Sequence, residues 1–240
     1  MNDVDKLIED LVAAHRTGAR ISPAAASLSR EEILRVQGGV ADALGAVAGF
    51  KVAPVPGSEP ILAPIPACYV VGNGGQKPVT ERFGVELEIG FELMRPLPEG
   101  GAPERLEDYF RPCAMFELVD TRLAGEAAED AAYKFADLQI NAGYVQGDVL
   151  EGWDGSDFGV VTARLKAGEE MPLDGDTSVP GGSALSNLRL FLEKVGDHCG
   201  GLKVGQIVIT GSVCGLLYFP KGTELAGEID GIGKVAVSFV

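Results

Sequence analysis

Val4, Leu7, Ile8, Leu11 and Val12 recur at three- and four-residue steps, the spacing of one helix face, and predict a helix near the N-terminal end. Ser29-Arg30-Glu31-Glu32 has the spelling of a capping box, and Ile33, Leu34, Val40 and Leu44 continue a helical stripe behind it. Gly38-Gly39 inside that stripe count against an unbroken helix. Pro and Gly are then frequent up to residue 66, as strands and loops require. From residue 67 the period changes to two. Residues 68–72 read as a short strand and 73–78 as a turn. Val85, Leu87, Ile89, Phe91 and Leu93 alternate with Glu86, Glu88, Gly90 and Glu92, which predicts a half-buried strand. A loop running into a short helix is expected over 99–110, a strand over 113–120 and a helix over 125–137. Strands at 142–150 and 158–168, a helix at 186–195 and strands at 206–219, 224–230 and 234–240 complete the reading. The simplest partition is a helical segment, 1–46, before one β-rich body, 47–240, giving an α+β fold; no repeat of 20–50 residues appears.

Composition narrows the function classes. The chain has 240 residues, enough for a sizeable core without cross-links. Its 33 glycines fit many tight turns. A net charge of −15 repels phosphate backbones and anionic bilayers, so neither nucleic acid nor membrane is an expected partner. Cys68, Cys113, Cys199 and Cys214 form no C-x-x-C pair, as expected of a reduced, cytoplasmic protein. The acidic start does not read as a signal peptide, and no apolar run reaches the roughly 18 residues of a membrane span.

Several side chains could carry chemistry. Glu86 and Glu88 share one face of their strand, with Cα atoms roughly 6–7 Å apart, and Glu92 continues that face. Two such carboxylates repel each other, and a divalent cation between them would remove the cost; the alternative is the solvated side of an amphipathic strand. Glu117 lies in an apolar run, Met115-Phe116-Glu117-Leu118-Val119, and a buried carboxylate must be paired, protonated or metal-bound. Arg111 and Arg122 are its nearest candidate partners in sequence. Lys51, in another apolar stretch, could bind an anion or move a proton, or could simply snorkel from an edge strand. His15 and His198 lack metal-ligand spacing, and His15 is expected at the surface. There is no nucleophile elbow, P-loop or dinucleotide fingerprint. The Gly-flanked turn at 210–215 could offer Ser212 and backbone N–H groups to an anion, or be a plain turn.

Five segments in order, GFKVA, VELEIGFEL with RPLP, CAMFELVDTR, FAD with YVQG, and the long LKVGQIVITGS to KGTELAGEIDGIGKVAVSF, resemble the 2-hydroxypenta-2,4-dienoate hydratase and 4-oxalocrotonate decarboxylase family of the fumarylacetoacetate hydrolase superfamily. The resemblance runs from about Leu44 to Val240. It implies a mixed β-roll with a helical N-terminal part, usually oligomeric. It also implies Mg2+ or Mn2+ held by Glu86, Glu88 and Glu117, catalytic roles for Lys51 and Asp137, and substrate contacts from Thr210 and Ser212. The implied substrate is a small 2-oxo or 2-enol carboxylic acid. The implied reaction is hydration of a 2-hydroxydienoate, with decarboxylation or C–C hydrolysis as alternatives. A homo-oligomer is implied, as is association with a homologous hydratase or decarboxylase, in which this chain could be a non-catalytic partner. The chain departs from the family at Leu138-Gln139-Ile140, where relatives carry a polar Asn and Ser, and at the Pro-rich 60–66 stretch.

Overall fold

A computed structural model describes residues 3–24, 27–98 and 101–240. Two helices open the chain, α1 (Asp3–Thr17) and α2 (Arg30–Leu44), and the predicted capping box is present at Ser29 and Glu32. Gly38-Gly39 do not interrupt α2. A Cβ on Gly39 would lie 2.8 Å from Ile8 Cδ1, so the glycine lets the two helices meet. Their apolar faces share a cluster with Leu123, Tyr133, Phe135 and Leu138.

Strands β1 (Val47–Ala53), β2 (Ile61–Pro66), β3 (Gly75–Lys77), β4 (Arg82–Leu93) and β5 (Phe110–Val119) follow. Then come α3 (Ala131–Ala136), β6 (Asn141–Val149), β7 (Val160–Ala167), β8 (Glu170–Ser178) and α4 (Ala184–Lys194). Strands β9 (Ile207–Ser212), β10 (Leu217–Pro220), β11 (Glu224–Ile229) and β12 (Gly233–Phe239) end the chain. One sheet has the order β2-β1-β9-β4-β5-β6 with β10 beside β4, and the other the order β3-β12-β11-β7-β8. The α+β class expected from the sequence is what the structure shows.

Some boundaries differ from expectation. The strand expected at 68–72 is a 3-10 turn with one bridge, Val71 to Val145, and regular pairing begins only at β3. The helix expected over 125–137 splits into a 3-10 turn at 125–128 and α3, whose N-cap Asp130 accepts from Ala132 and Tyr133 N–H groups. Of the loop expected over 99–110, residues 99–100 lie outside the described residues.

The larger sheet is curled. Its outer face, with Val85, Leu87, Ile89 and Phe91 of β4, packs against Ala163, Leu165, Leu225, Val235 and Val237 of the second sheet. Its inner face brings Ile65 of β2 to Tyr144 of β6, although these strands are the two ends of the sheet. Ile65, Cys113, Met115, Tyr144, Ile207 and Ile209 fill that interior. Gly90 allows this, because a Cβ there would lie 2.1 Å from Met115 Sδ. The odd side of β4 is therefore core between sheets, and its glutamate side lines the inside of the roll.

Candidate metal site

Glu86 and Glu117 are direct partners in the β4–β5 pairing, and Glu88 stands two residues along β4 on the same face. One oxygen from each of the three carboxylates lies within 4.8 Å of the others. Glu88 and Glu117 are 3% and 0% exposed, and Glu86 is half-buried. The solvated-face alternative for Glu88 is thereby removed, because the roll encloses that side of the strand. Glu92, farther along, is held by Arg111 Nε at 3.1 Å and Gln146 Nε2 at 3.0 Å and stands apart from the trio.

Lys51 completes the cluster. Its Nζ donates to Glu117 Oε1 at 2.6 Å. In a flat sheet β1 and β5, separated by β9 and β4, would be roughly 14 Å apart, so this contact is a product of the curl. Neither arginine proposed from sequence is the partner of Glu117: Arg111 serves Glu92 and Glu151, and Arg122 serves Asp137. Burial opposes the charge on Lys51, but the nearby Glu117, Glu86 and Glu88 carboxylates outweigh it and raise its pKa. Burial, and next the negative charges beside them, raise the pKa values of Glu86 and Glu88, that of Glu88 well above the ordinary range.

The turn after β9 supports the carboxylates. Gly211 N–H donates to Glu88 Oε2 at 2.8 Å, and the Ser212 hydroxyl favours the ionised form of Glu86. Gly211 has φ +130, and a Cβ there would lie 2.9 Å from Pro180 Cδ, so only glycine fits. Thr210 does not face the site opening. It is fully buried, and its hydroxyl donates to Ile89 O at 3.0 Å. Its carbonyl accepts from Asn187 Nδ2 at 2.8 Å, so the residue expected to touch substrate instead fixes the turn.

Asp137 is also placed differently from a free acid/base. It is 0% exposed. Oδ1 accepts from Arg122 Nε at 2.8 Å, Oδ2 from Arg122 N–H at 3.0 Å, and its carbonyl from Arg122 Nη2 at 2.9 Å. His15, expected at the surface, is buried beside it, with Nε2 3.4 Å from Asp137 Oδ1 and Nδ1 2.8 Å from Tyr69 Oη. Burial lowers the pKa of His15, which keeps the ring neutral.

Sequence reasoning missed Asn141. Fully buried at the start of β6, it donates from Nδ2 to Glu117 Oε1 at 2.8 Å. Glu117 Oε2 is buried with no hydrogen-bond partner among the described residues. A single Asn behind Leu138-Gln139-Ile140 carries no pattern that would have singled it out. A cavity of about 700 Å3 lined by Arg20, Arg82, Asp120 and Tyr218 opens near the start of β4, displaced along the strand from Glu86.

No known family profile matches the chain. Its fold is that of several solved enzymes. The 4-oxalocrotonate decarboxylase from Pseudomonas putida G7, solved with calcium and acetate and with magnesium and adipate, superposes with a TM-score of 0.77. The match covers 99% of this chain and 97% of that one at 17% identity. The 5-carboxymethyl-2-hydroxymuconate delta-isomerase from Mycobacterium smegmatis matches with a TM-score of 0.58 and 15% identity, covering 81% and 80% of the two chains. A fumarylpyruvate hydrolase from Pseudomonas aeruginosa, in complex with Mn2+ and pyruvate, matches with a TM-score of 0.51 and 17% identity over 77% and 80%. Among the described residues no helix is long and apolar enough to cross a membrane.

Proposed function

We propose that the protein is a Mg2+- or Mn2+-dependent lyase of the fumarylacetoacetate hydrolase superfamily acting on a small 2-oxo or 2-enol carboxylic acid. The observation that carries this reading is the convergence of Glu86, Glu88 and Glu117 with Lys51. An all-oxygen donor set suits a hard cation. Three carboxylates and one ammonium leave two negative charges, which one divalent ion balances. The orphaned Glu117 Oε2 is the buried atom such an ion would satisfy. Solved proteins of this fold are complexed with calcium, magnesium or Mn2+.

When bound, the ion would supply Lewis-acid stabilisation of negative charge developing on the oxo oxygen of a chelating 2-oxo acid. The protein's own groups do the rest. Gly211 N–H and Ser212 orient Glu88 and Glu86. Lys51, kept as an ammonium by the carboxylates, holds the substrate carboxylate or delivers a proton from Nζ to the developing carbanion. Met115, Ile207 and Ile209 form an apolar floor that excludes bulk water from below. Asp137, committed to Arg122, has no proton-transfer role in this scheme.

Hydration of a 2-hydroxydienoate is the first reaction to test. Decarboxylation of a 2-oxo diacid is the second reading, favoured by the likeness to a decarboxylase along nearly the whole chain. Ultraviolet absorbance of 2-hydroxypenta-2,4-dienoate and 2-hydroxymuconate would be followed with Mg2+ and with chelator. Metal-dependent loss with a hydroxylated product supports the hydratase, and loss with CO2 the decarboxylase. No loss, with Mn2+ still bound, points to another 2-oxo acid or a non-catalytic partner subunit. Absence of Mn2+ binding refutes the proposal.

A further inference from the structure

The three carboxylates are held unequally. Glu88 receives one backbone N–H, and Glu86 stands nearest solvent beside Ser212. Glu117 has one oxygen taken twice and the other not at all. Lys51 Nζ and Asn141 Nδ2 reach Oε1 at 2.6 and 2.8 Å, while Oε2 is buried and unpartnered.

We propose that Asn141 is a positioning residue that fixes the orientation of the Glu117 carboxylate, so that its unpartnered oxygen is presented as the third ligand for a divalent cation. The proposal rests on the metal-site reading above. Lys51 cannot fix that orientation alone, because a flexible ammonium with three rotatable donors can follow the carboxylate as it turns. Asn141 can, because its amide orientation is locked. Oδ1 accepts Gly143 N–H at 2.9 Å, and Nδ2 also donates to Gly143 O at 3.3 Å. A flipped amide would set Oδ1 against the Glu117 carboxylate and Nδ2 against the Gly143 N–H, losing every one of these bonds.

The backbone delivers Asn141 at a conformational cost. Leu138, Gln139 and Ile140 are three successive non-glycine residues with φ of 52, 53 and 53. Such residues avoid the left-handed region unless the surroundings hold them there, and strain of this kind concentrates at working sites. Here the hold is Asp137. Arg122 grips its side chain and carbonyl, and Ile140 N–H closes the turn on Asp137 O at 2.8 Å. Leu138 is meanwhile buried against the helical cluster. Asp137 therefore acts on the site through the turn and Asn141.

The test is a double-mutant cycle read by Mn2+ affinity, using the free-ion paramagnetic resonance signal on the full chain. Asn141→Ala is expected to weaken Mn2+ binding 10- to 100-fold, the usual loss for a partner that orients a ligand. Asn141→Ser, too short to reach Glu117 but able to accept the Gly143 N–H, is expected to do the same and serves if the alanine variant fails to fold. Combined with Glu117→Gln, either change should add nothing to the loss from Glu117→Gln alone. A general loosening of the fold would instead add its effect in both backgrounds. Affinity within twofold of native in the single variants, or additive losses in the double variants, overturns the inference while leaving the metal site standing. A native protein that binds no Mn2+ overturns both.

Discussion

Replacing Glu88 with Gln should make the metal-free protein more stable and the metal-loaded protein less so. The two nearby carboxylates, Glu86 and Glu117, offer oxygens within 4.8 Å of a Glu88 oxygen. At an effective dielectric constant of about 20, unit charges at that spacing repel by about 3.5 kcal/mol per pair. Lys51 supplies one opposing charge that offsets about one of these repulsions, so the charge removed relieves about 3.5 kcal/mol. Part of that relief is already taken by proton uptake, because burial and the adjacent Glu117 and Glu86 charges raise the Glu88 pKa well above normal. The bond from Gly211 N–H also weakens by about 1 kcal/mol when its acceptor becomes neutral. A net gain of about 1–2 kcal/mol remains, or a melting temperature higher by about 3–6 °C for a chain of this size. Conversely, Mn2+ at one hundred times its Kd should stabilise the native protein by about 2.7 kcal/mol and the variant hardly at all. Thermal melts of both proteins in chelator and in Mn2+ should therefore change order. A metal-free variant that melts below native, or one that keeps the full Mn2+ shift, would refute the electrostatic account of the site.

The pH dependence of the metal-free protein has a defined sign. Glu86 and Glu88 have raised pKa values in the folded state, so the native protein binds more protons than the unfolded chain; its stability should fall as pH rises above the ordinary carboxylate range, and replacing both residues with Gln should flatten the slope seen by denaturant titration. Mn2+ affinity should run the other way, weakening as pH falls through the same window, and a pH-independent Kd would contradict the ligand assignment. Arg122→Ala strands the fully buried Asp137 carboxylate, which should cost about 3–5 kcal/mol and lower the melting temperature by on the order of 10 °C; a loss under 2 °C would show that the ion pair does not anchor the turn. Gly211→Ala must place a Cβ 2.9 Å from Pro180 Cδ at φ +130, so it should destabilise by about 1–3 kcal/mol and also weaken Mn2+ binding through the displaced N–H, both measurable in one set of melts with and without metal.

What the sequence could convey depended on how local the cause was. The two-residue alternation of β4 identified Glu86 and Glu88 as neighbours on one face, because that geometry is a property of a single strand. The apolar run around Glu117 announced a buried carboxylate for a similar reason, since a hydrophobic strand buries whatever it contains. The partner of that carboxylate was not legible. Arg111 and Arg122 are close in sequence, yet the cation that reaches it is Lys51, 66 residues earlier, because the sheet curls until β1 faces β5. Composition does not report that curvature, which comes from close approaches such as Met115 over Gly90 and Ile65 against Tyr144. Gly39 misleads in the same way: by propensity it breaks a helix, whereas here it admits Ile8. Strand β8 passed unnoticed because its mostly polar residues, at the edge of the second sheet, lack an apolar alternation. The Leu138–Ile140 turn marks the limit of local reasoning. No propensity places three branched or long side chains in the left-handed region, and tertiary contacts, the buried Arg122–Asp137 pair and the burial of Leu138, hold that backbone. The polar residues expected in that stretch are absent, and the polar group that reaches Glu117 comes from the next position, Asn141. A motif comparison that scores positions 138 and 140 registers a loss. The folded chain shows that the same turn still delivers a hydrogen-bond donor to the site.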